Sequence, residues 1–268
     1  MQRKIAIIGG GNLGQAIAEG LLASTFTSAE ALTITRRNIT RLANLAQQGV
    51  TVTCDNAAAA AANDVIILAV KPFQAMAVLT EIQPQLKAGT ILVSVVTGVQ
   101  LDEIAAATGN PAGVHFFRAM PNTAIAIRES MTCICSQQAG PEAKEYIISL
   151  FNRLGQTVVI EEKLMEAATV LGACGTAYAM RYIRANIQGG IEIGFDAVTA
   201  AMIAAQTVKG AAELLLRNGT HPEQEIDKVT TPKGCTIAGL NEMEHRGFSS
   251  SLIRGVVTSY KKIAKEEV

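Results

Sequence analysis

The chain has 268 residues, 49% of them hydrophobic, which is enough to bury a large core and long enough for two domains. Lysine plus arginine equals aspartate plus glutamate at 23 each, and aromatics reach only 4% with no tryptophan. That balance speaks against a basic nucleic-acid or membrane surface and against base-stacking platforms. In chain order, a β-branched run at 5–8 comes first and breaks into Gly9-Gly10-Gly11-Asn12-Leu13-Gly14, followed by an apolar-periodic run at 15–23. This reads as strand, glycine turn and helix, with Gly9, Gly11 and Gly14 in the G-x-G-x-x-G places. Gly9 is expected to allow the tight turn, Gly11 to let backbone N–H groups approach a pyrophosphate, and Gly14 to let helix and strand pack closely. The segment from Ile8 to Gly14 is thus predicted to cradle a dinucleotide at a helix N-terminus.

Apolar strands then alternate with helical patterns as far as about residue 160. The strands are predicted at 32–35, 51–53, 65–70, 90–96 and 113–118, with helices near 39–48, 56–62, 73–83 and 101–108. Runs that are apolar on both faces and linked by helices imply a mostly parallel sheet covered on each side, an α/β architecture. Segments 131–135 and 157–160, with a helix at 141–154 between them, are expected to extend that sheet at one edge. After Glu161 the strand patterns vanish: 162–184, 194–217 and 249–265 read as long alanine-rich helices, and Thr230 to Gly239 as a loop. Domains are therefore placed at 1–160 and 161–268. Helices apolar all round must be covered, so the second domain is expected to form an interlocked homodimer.

The five cysteines are scattered and form no CxxC pair, which suits reduced thiols. No stretch reads as a signal peptide or membrane span, so a soluble, cytoplasmic protein is expected. The three histidines, His115, His221 and His245, lack metal-ligand spacing, so no metal is expected. His115 is read as structural, and His221, ahead of Pro222, as capping or entering a helix.

The ends of the predicted strands carry the chemistry. The second ends at Thr35-Arg36-Arg37-Asn38, where NAD-binding folds place an acid for the ribose hydroxyl. Guanidinium groups there suit a 2′-phosphate, so NADPH is favoured and NADH is the weaker alternative. Asn56 follows the third strand, as adenosine-side ligand or helix cap. Ala69-Val70-Lys71-Pro72 ends the fourth strand, and Val95, Val96 and Thr97 end the fifth, facing the nicotinamide half. Asn122 ends the sixth, as a ligand for the nicotinamide amide or substrate or as a turn residue.

With these segments in hand, the chain resembles the pyrroline-5-carboxylate reductases. The resemblance rests on GGGNLG (9–14), AVKP (69–72), SVVTGVQL (94–101), RAMPNT (118–123), GTAY (175–178), QTVKGAAELL (206–215) and HPEQEIDKVTTPKGCTIAGL (221–240). It implies a Rossmann-like domain followed by a helical dimerisation domain. It also implies that the loop with Thr231, Lys233, Gly234, Cys235 and Thr236 binds the substrate carboxylate, with the Thr236 hydroxyl near the ring nitrogen. The site would be shared between the Rossmann domain of one subunit and the helical domain of its partner, with further assembly of dimers left open. Three departures stand out. Thr176 takes the place of a proline, Lys233 and Cys235 replace residues of the family's Pro-Gly-Gly-Thr/Ala-Thr loop, and 127–130 lacks the usual glycines. A left-handed backbone at Lys233 would cost about 1 kcal/mol.

The implied reaction is hydride transfer from NADPH to a cyclic imine, giving L-proline. A protonated imine is already electrophilic, so positioning and water exclusion suffice. A related β-hydroxyacid dehydrogenase would need a general base, usually a lysine in the first long helix, and 164–184 carries none. The other alternative is a non-catalytic NADP(H)-binding module.

Overall fold

The computed structural model describes residues 3–264. Lys265, the end of the last expected helix, lies outside the described residues. The chain divides into two compact units at Ala173/Cys174.

The first unit alternates strand and helix. It runs β1 (Ile5–Ile8), α1 (Asn12–Ala23), β2 (Leu32–Thr35), α2 (Ala43–Gln47), β3 (Thr51–Thr53), α3 (Asn56–Ala62), β4 (Val65–Leu68) and α4 (Pro72–Ile82). It continues through β5 (Ile91–Ser94), α5 (Leu101–Ala107), β6 (His115–Met120), β7 (Ser130–Gln137), α6 (Pro141–Asn152), β8 (Gly155–Val159) and α7 (Met165–Ala168). The strands form one sheet in the order β3-β2-β1-β4-β5-β6-β7-β8. Every pair is parallel except β6 with β7, which run antiparallel. The expected mostly parallel sheet, extended at one edge, is what forms.

Strand periodicity explains its two cores. Ile5 and Ile7 point into one cluster with Ile17 and Leu21 of α1 and Ile147 and Phe151 of α6. Ile8, Ile66 and Leu68 point into the other with Leu79 of α4 and Ile104 of α5. Alternate residues of one strand feed opposite faces, and both faces are covered. The chain builds β1 to β3 outward on one side, then returns to place β4 on the other side of β1. The carboxyl ends of β1 and β4 therefore flank a topological switch point, where open α/β sheets bind ligands.

Two sequence expectations differ from the structure. The helix expected at 162–184 is interrupted: after α7 the backbone widens into a π turn, Thr169–Cys174, before α8 (Gly175–Glu192). Apolar periodicity runs through such a bulge, so no sequence pattern marks it. The expected loop at 230–239 is a loop only as far as Gly234. Helix α11 (Cys235–His245) begins inside it, because the glycine serves as its N-cap rather than continuing an irregular segment.

The second unit is helical throughout: α8, α9 (Ala197–Asn218), α10 (Pro222–Val229), α11 and α12 (Phe248–Ala264). Asp196 caps α9, accepting from the N–H groups of Val198 and Thr199 at 3.0 Å. Hydrogen bonds from Thr199 hold its carboxyl below the usual range. His221 caps α10 through Nδ1, which accepts from Glu223 N–H at 3.3 Å. Pro222 at the first helical position completes the signal. Among the described residues of this unit only Ala200 and Ala204 are buried, while Val198, Met202, Ile193 and Leu216 lie between 67% and 80% exposed. Such an apolar surface demands a cover. Among the described residues, no helix is long and apolar enough to cross a membrane.

Candidate active site

The glycine turn after β1 divides its labour by sterics. Gly9 has φ +112°, and a Cβ there would lie 2.4 Å from the Ala69 carbonyl oxygen at the end of β4. Gly14 is closed by the turn itself: a Cβ would lie 2.1 Å from the Gly9 carbonyl oxygen. Gly11 is the opposite case, since a Cβ built on it meets nothing within 4 Å. Gly11 is also the N-cap of α1, with no side chain capping the helix. The first N–H groups of a helix have no partner within it. Those of α1 therefore open on a cleft of about 1660 Å³ bordered by Gly9, Gly10, Gly11, Asn12 and Leu13. Ile8 and Gly14, buried behind the turn, support it without lining the cleft.

One end of the cleft is polar. Arg36 and Arg37, at the end of β2, line it together with Asn38 and Arg41. Arg36 also donates from Nη1 to the Gly10 carbonyl at 2.6 Å, which ties the turn to β2. Asn56, the first residue of α3, lines the same end and faces Glu81 of α4. The Thr35 hydroxyl donates to Asn56 Oδ1 at 2.7 Å. Asp55, not Asn56, caps α3, accepting from Ala58 N–H at 2.8 Å. Glu81 carries no sequence signal, since 25 residues separate it from Asn56.

The other walls come from β4 and β5. Ala69, Val70, Lys71 and Pro72 line the cleft, with Lys71 at the N-cap of α4 and Pro72 at its first position. Val95, Val96 and Thr97 border it after β5, and the turn Thr123–Ile127 contributes Thr123, Ile125 and Ala126. Asn122 does not line the cleft. Its Oδ1 accepts from Ala124 N–H at 3.0 Å, and its Nδ2 donates to the Gly172 carbonyl in the π turn at 3.1 Å. Each end of its amide thus makes one hydrogen bond that holds structure.

The candidate substrate loop lies in the second unit. Gly234 N–H donates to the Thr231 carbonyl at 2.9 Å, closing a four-residue turn with Pro232 and Lys233 at its centre. Lys233 has φ +61°. Proline followed by a positive φ defines a type II turn, whose third position favours glycine. Gly234 is required by contact, since a Cβ would lie 2.5 Å from Thr231 Oγ1. Cys235 and Thr236 then open α11 with no side-chain cap, so its first N–H groups have no partner within the helix.

A buried arginine on β6 gathers two partly exposed carboxylates. Arg118, 2% exposed, donates to Glu162 at 2.9 Å and to Glu166 at 3.2 Å. Glu162 also accepts from Leu101 N–H at 2.7 Å. Cys135, paired with Arg118 across β6 and β7, has its thiol pushed up to about 11, mainly by burial and then by Glu162. Burial also raises Cys133. Burial thus disfavours the thiolate, the nucleophilic form, at both positions. Among the described residues no cluster of histidine, cysteine, aspartate or glutamate could hold a metal ion.

A doubly wound sheet with a glycine turn at its switch point and arginines after β2 defines a dinucleotide-dependent oxidoreductase. The family models agree with both units. Residues 4–98 match "NADP oxidoreductase coenzyme F420-dependent", and residues 162–266 match "Pyrroline-5-carboxylate reductase dimerisation". Pyrroline-5-carboxylate reductase 2 of Dictyostelium discoideum is 41% identical over 99% of this chain and 93% of its own length. Pyrroline-5-carboxylate reductase 1 of the same organism is 45% identical over 97% of this chain, which spans about half of that relative, 49%. The structure of Plasmodium falciparum pyrroline carboxylate reductase with NADP bound superposes with a TM-score of 0.89 at 26% identity, covering 98% of each chain. The chain belongs to the pyrroline-5-carboxylate reductase family.

Proposed function

We propose that this chain reduces 1-pyrroline-5-carboxylate to L-proline with NADPH, NADH serving as the weaker donor. The observation that carries the reading is the cleft: a glycine turn with an open Gly11 at one side and Arg36 and Arg37 where a ribose-binding acid would stand. When bound there, NADPH would supply a hydride to the imine carbon while the C=N π pair becomes the amine lone pair. The protein's part is to bind, orient and exclude water. The walls after β5, Val95, Val96 and Thr97, carry no titratable group, which suits a protonated imine. Oxidation of an alcohol would need a base, and α8 contains no lysine.

The substrate carboxylate would be held by the uncapped N–H groups at the start of α11, with Thr231, Lys233, Gly234 and Cys235 shaping the loop and the Thr236 hydroxyl at the ring nitrogen. In the same reading, this loop reaches the cleft of a partner subunit, and the functional boundary lies at 160/161. Five free thiols suit a reducing, cytoplasmic compartment. The test is NADPH and NADH oxidation with 1-pyrroline-5-carboxylate, with a β-keto acid as control. Turnover of the imine with NADPH preferred is expected. Activity only with the keto acid would indicate a β-hydroxyacid dehydrogenase, and binding without turnover a non-catalytic module.

A further inference from the structure

A carboxylate stands in a cleft built for a polyanion. Glu81 lines the same end as Arg36 and Arg37, where its charge opposes that of the cofactor. Its hydrogen bond at that end is to Asn56: Nδ2 donates to Glu81 Oε2 at 3.0 Å. The bond is one link in a chain across four segments. Gly9 N–H donates to Thr35 Oγ1 at 3.3 Å, and the Thr35 hydroxyl donates to Asn56 Oδ1 at 2.7 Å.

The direction of this chain is fixed at both ends. A backbone N–H only donates, and an ionised carboxylate only accepts. Rotating the Asn56 amide by half a turn would set its carbonyl oxygen against the Glu81 carboxylate, two acceptors with no proton between them. Glu81 therefore selects one of two orientations that are otherwise nearly equal in shape. In that orientation Asn56 keeps one N–H and one lone pair beyond those used by Glu81 and Thr35. A ribose hydroxyl, which both donates and accepts, matches that pair.

We propose that Glu81 is a positioning residue for the adenosine ribose of the cofactor, acting through Asn56. The inference rests on the NADPH reading above. It accounts for a negative charge in an anion site: an ionised acceptor forms a stronger hydrogen bond than a neutral one, and Glu81 is exposed enough for solvent to screen its repulsion.

The test measures equilibrium binding by calorimetry on the whole chain, using adenosine 2′,5′-bisphosphate, which lacks the nicotinamide half. Its binding to the unaltered protein checks the NADPH reading independently of Glu81. Glu81→Ala is expected to weaken this ligand and NADPH by the same factor, about fivefold, the size of one oriented hydrogen bond. Turnover with reduced nicotinamide mononucleotide, which lacks the adenosine half, should not change. Glu81→Gln keeps an acceptor for Asn56 and should recover most of the lost binding. Three results would overturn the proposal: an unchanged affinity in Glu81→Ala, an equal loss with the mononucleotide, or a Glu81→Gln variant as weak as Glu81→Ala.

Discussion

Arg36 and Arg37 are neighbours in sequence with different duties in the structure. Arg36 donates one N–H to the Gly10 carbonyl at 2.6 Å, whereas Arg37 lines the cleft and is exposed. Arg37→Ala is therefore expected to raise the KM for NADPH about tenfold, the size of one charge-assisted contact to a phosphate, and to spare NADH. Arg36→Ala should raise both constants, because it also loosens the glycine turn. Steady-state kinetics with the two cofactors separate these cases, and a selective effect of Arg36→Ala would reverse the assignment. Lys233 poses a different question. Lys233 and Arg128 both have φ near +60°. A side chain in that region carries about 1 kcal/mol of strain. Lys233→Gly should stabilise the chain in urea unfolding by about 0.5 kcal/mol, part of the relief being offset by the freer unfolded state. It should also raise the KM for the imine, as an ammonium near the carboxylate is lost. Unchanged stability would show that the turn is unstrained.

At the scale of elements, Arg118 joins β6 to the segment that leads out of the sheet. Glu162 accepts from both Arg118 and Leu101 N–H, so its loss leaves two donors without their partner. Glu162→Ala should cost about 2 kcal/mol in denaturant unfolding, below the cost of a fully buried pair because the carboxylate is partly solvated. Glu162→Gln, which retains the acceptor, should cost about half as much. Equal stability of all three proteins would mean that water replaces the carboxylate without penalty. This cluster was not legible in the sequence, because nothing local marks an arginine inside an apolar strand as buried. The glycine turn was legible, because Gly9 and Gly14 are forced by backbone contacts that any side chain would violate. The strand ends were legible too, since periodicity and Pro72 locate them. Asn122 shows the limit of that reading. Its place at the end of β6 is as expected, but each end of its amide makes a bond within the fold, to Ala124 and to Gly172, the second 50 residues away. The start of α11 was hidden for a local reason: Thr, Pro and Gly signal a turn, and the same glycine is also a helix cap.

At the scale of the molecule, the cleft belongs to the first unit and the Thr231–Thr236 loop to the second. The second unit exposes a broad apolar surface and matches a dimerisation domain. If each site takes its cleft from one subunit and its loop from the other, two inactive variants will complement. Gly11→Asp is a suitable first partner. A side chain at Gly11 meets nothing within 4 Å, so the fold is preserved, yet a carboxylate is placed where the pyrophosphate would bind. Thr236→Ala is the second, altering the loop while leaving the cleft intact. Each homodimer should show little turnover. Mixed after dissociation and reassociation, half the dimers are heterodimers, each with one site carrying both changes and one carrying neither. About a quarter of wild-type activity should then return, as two-fold symmetry requires. A site built within one chain would return none. Titrating the ratio of the two variants distinguishes the cases without any assumption about the residual activity of either.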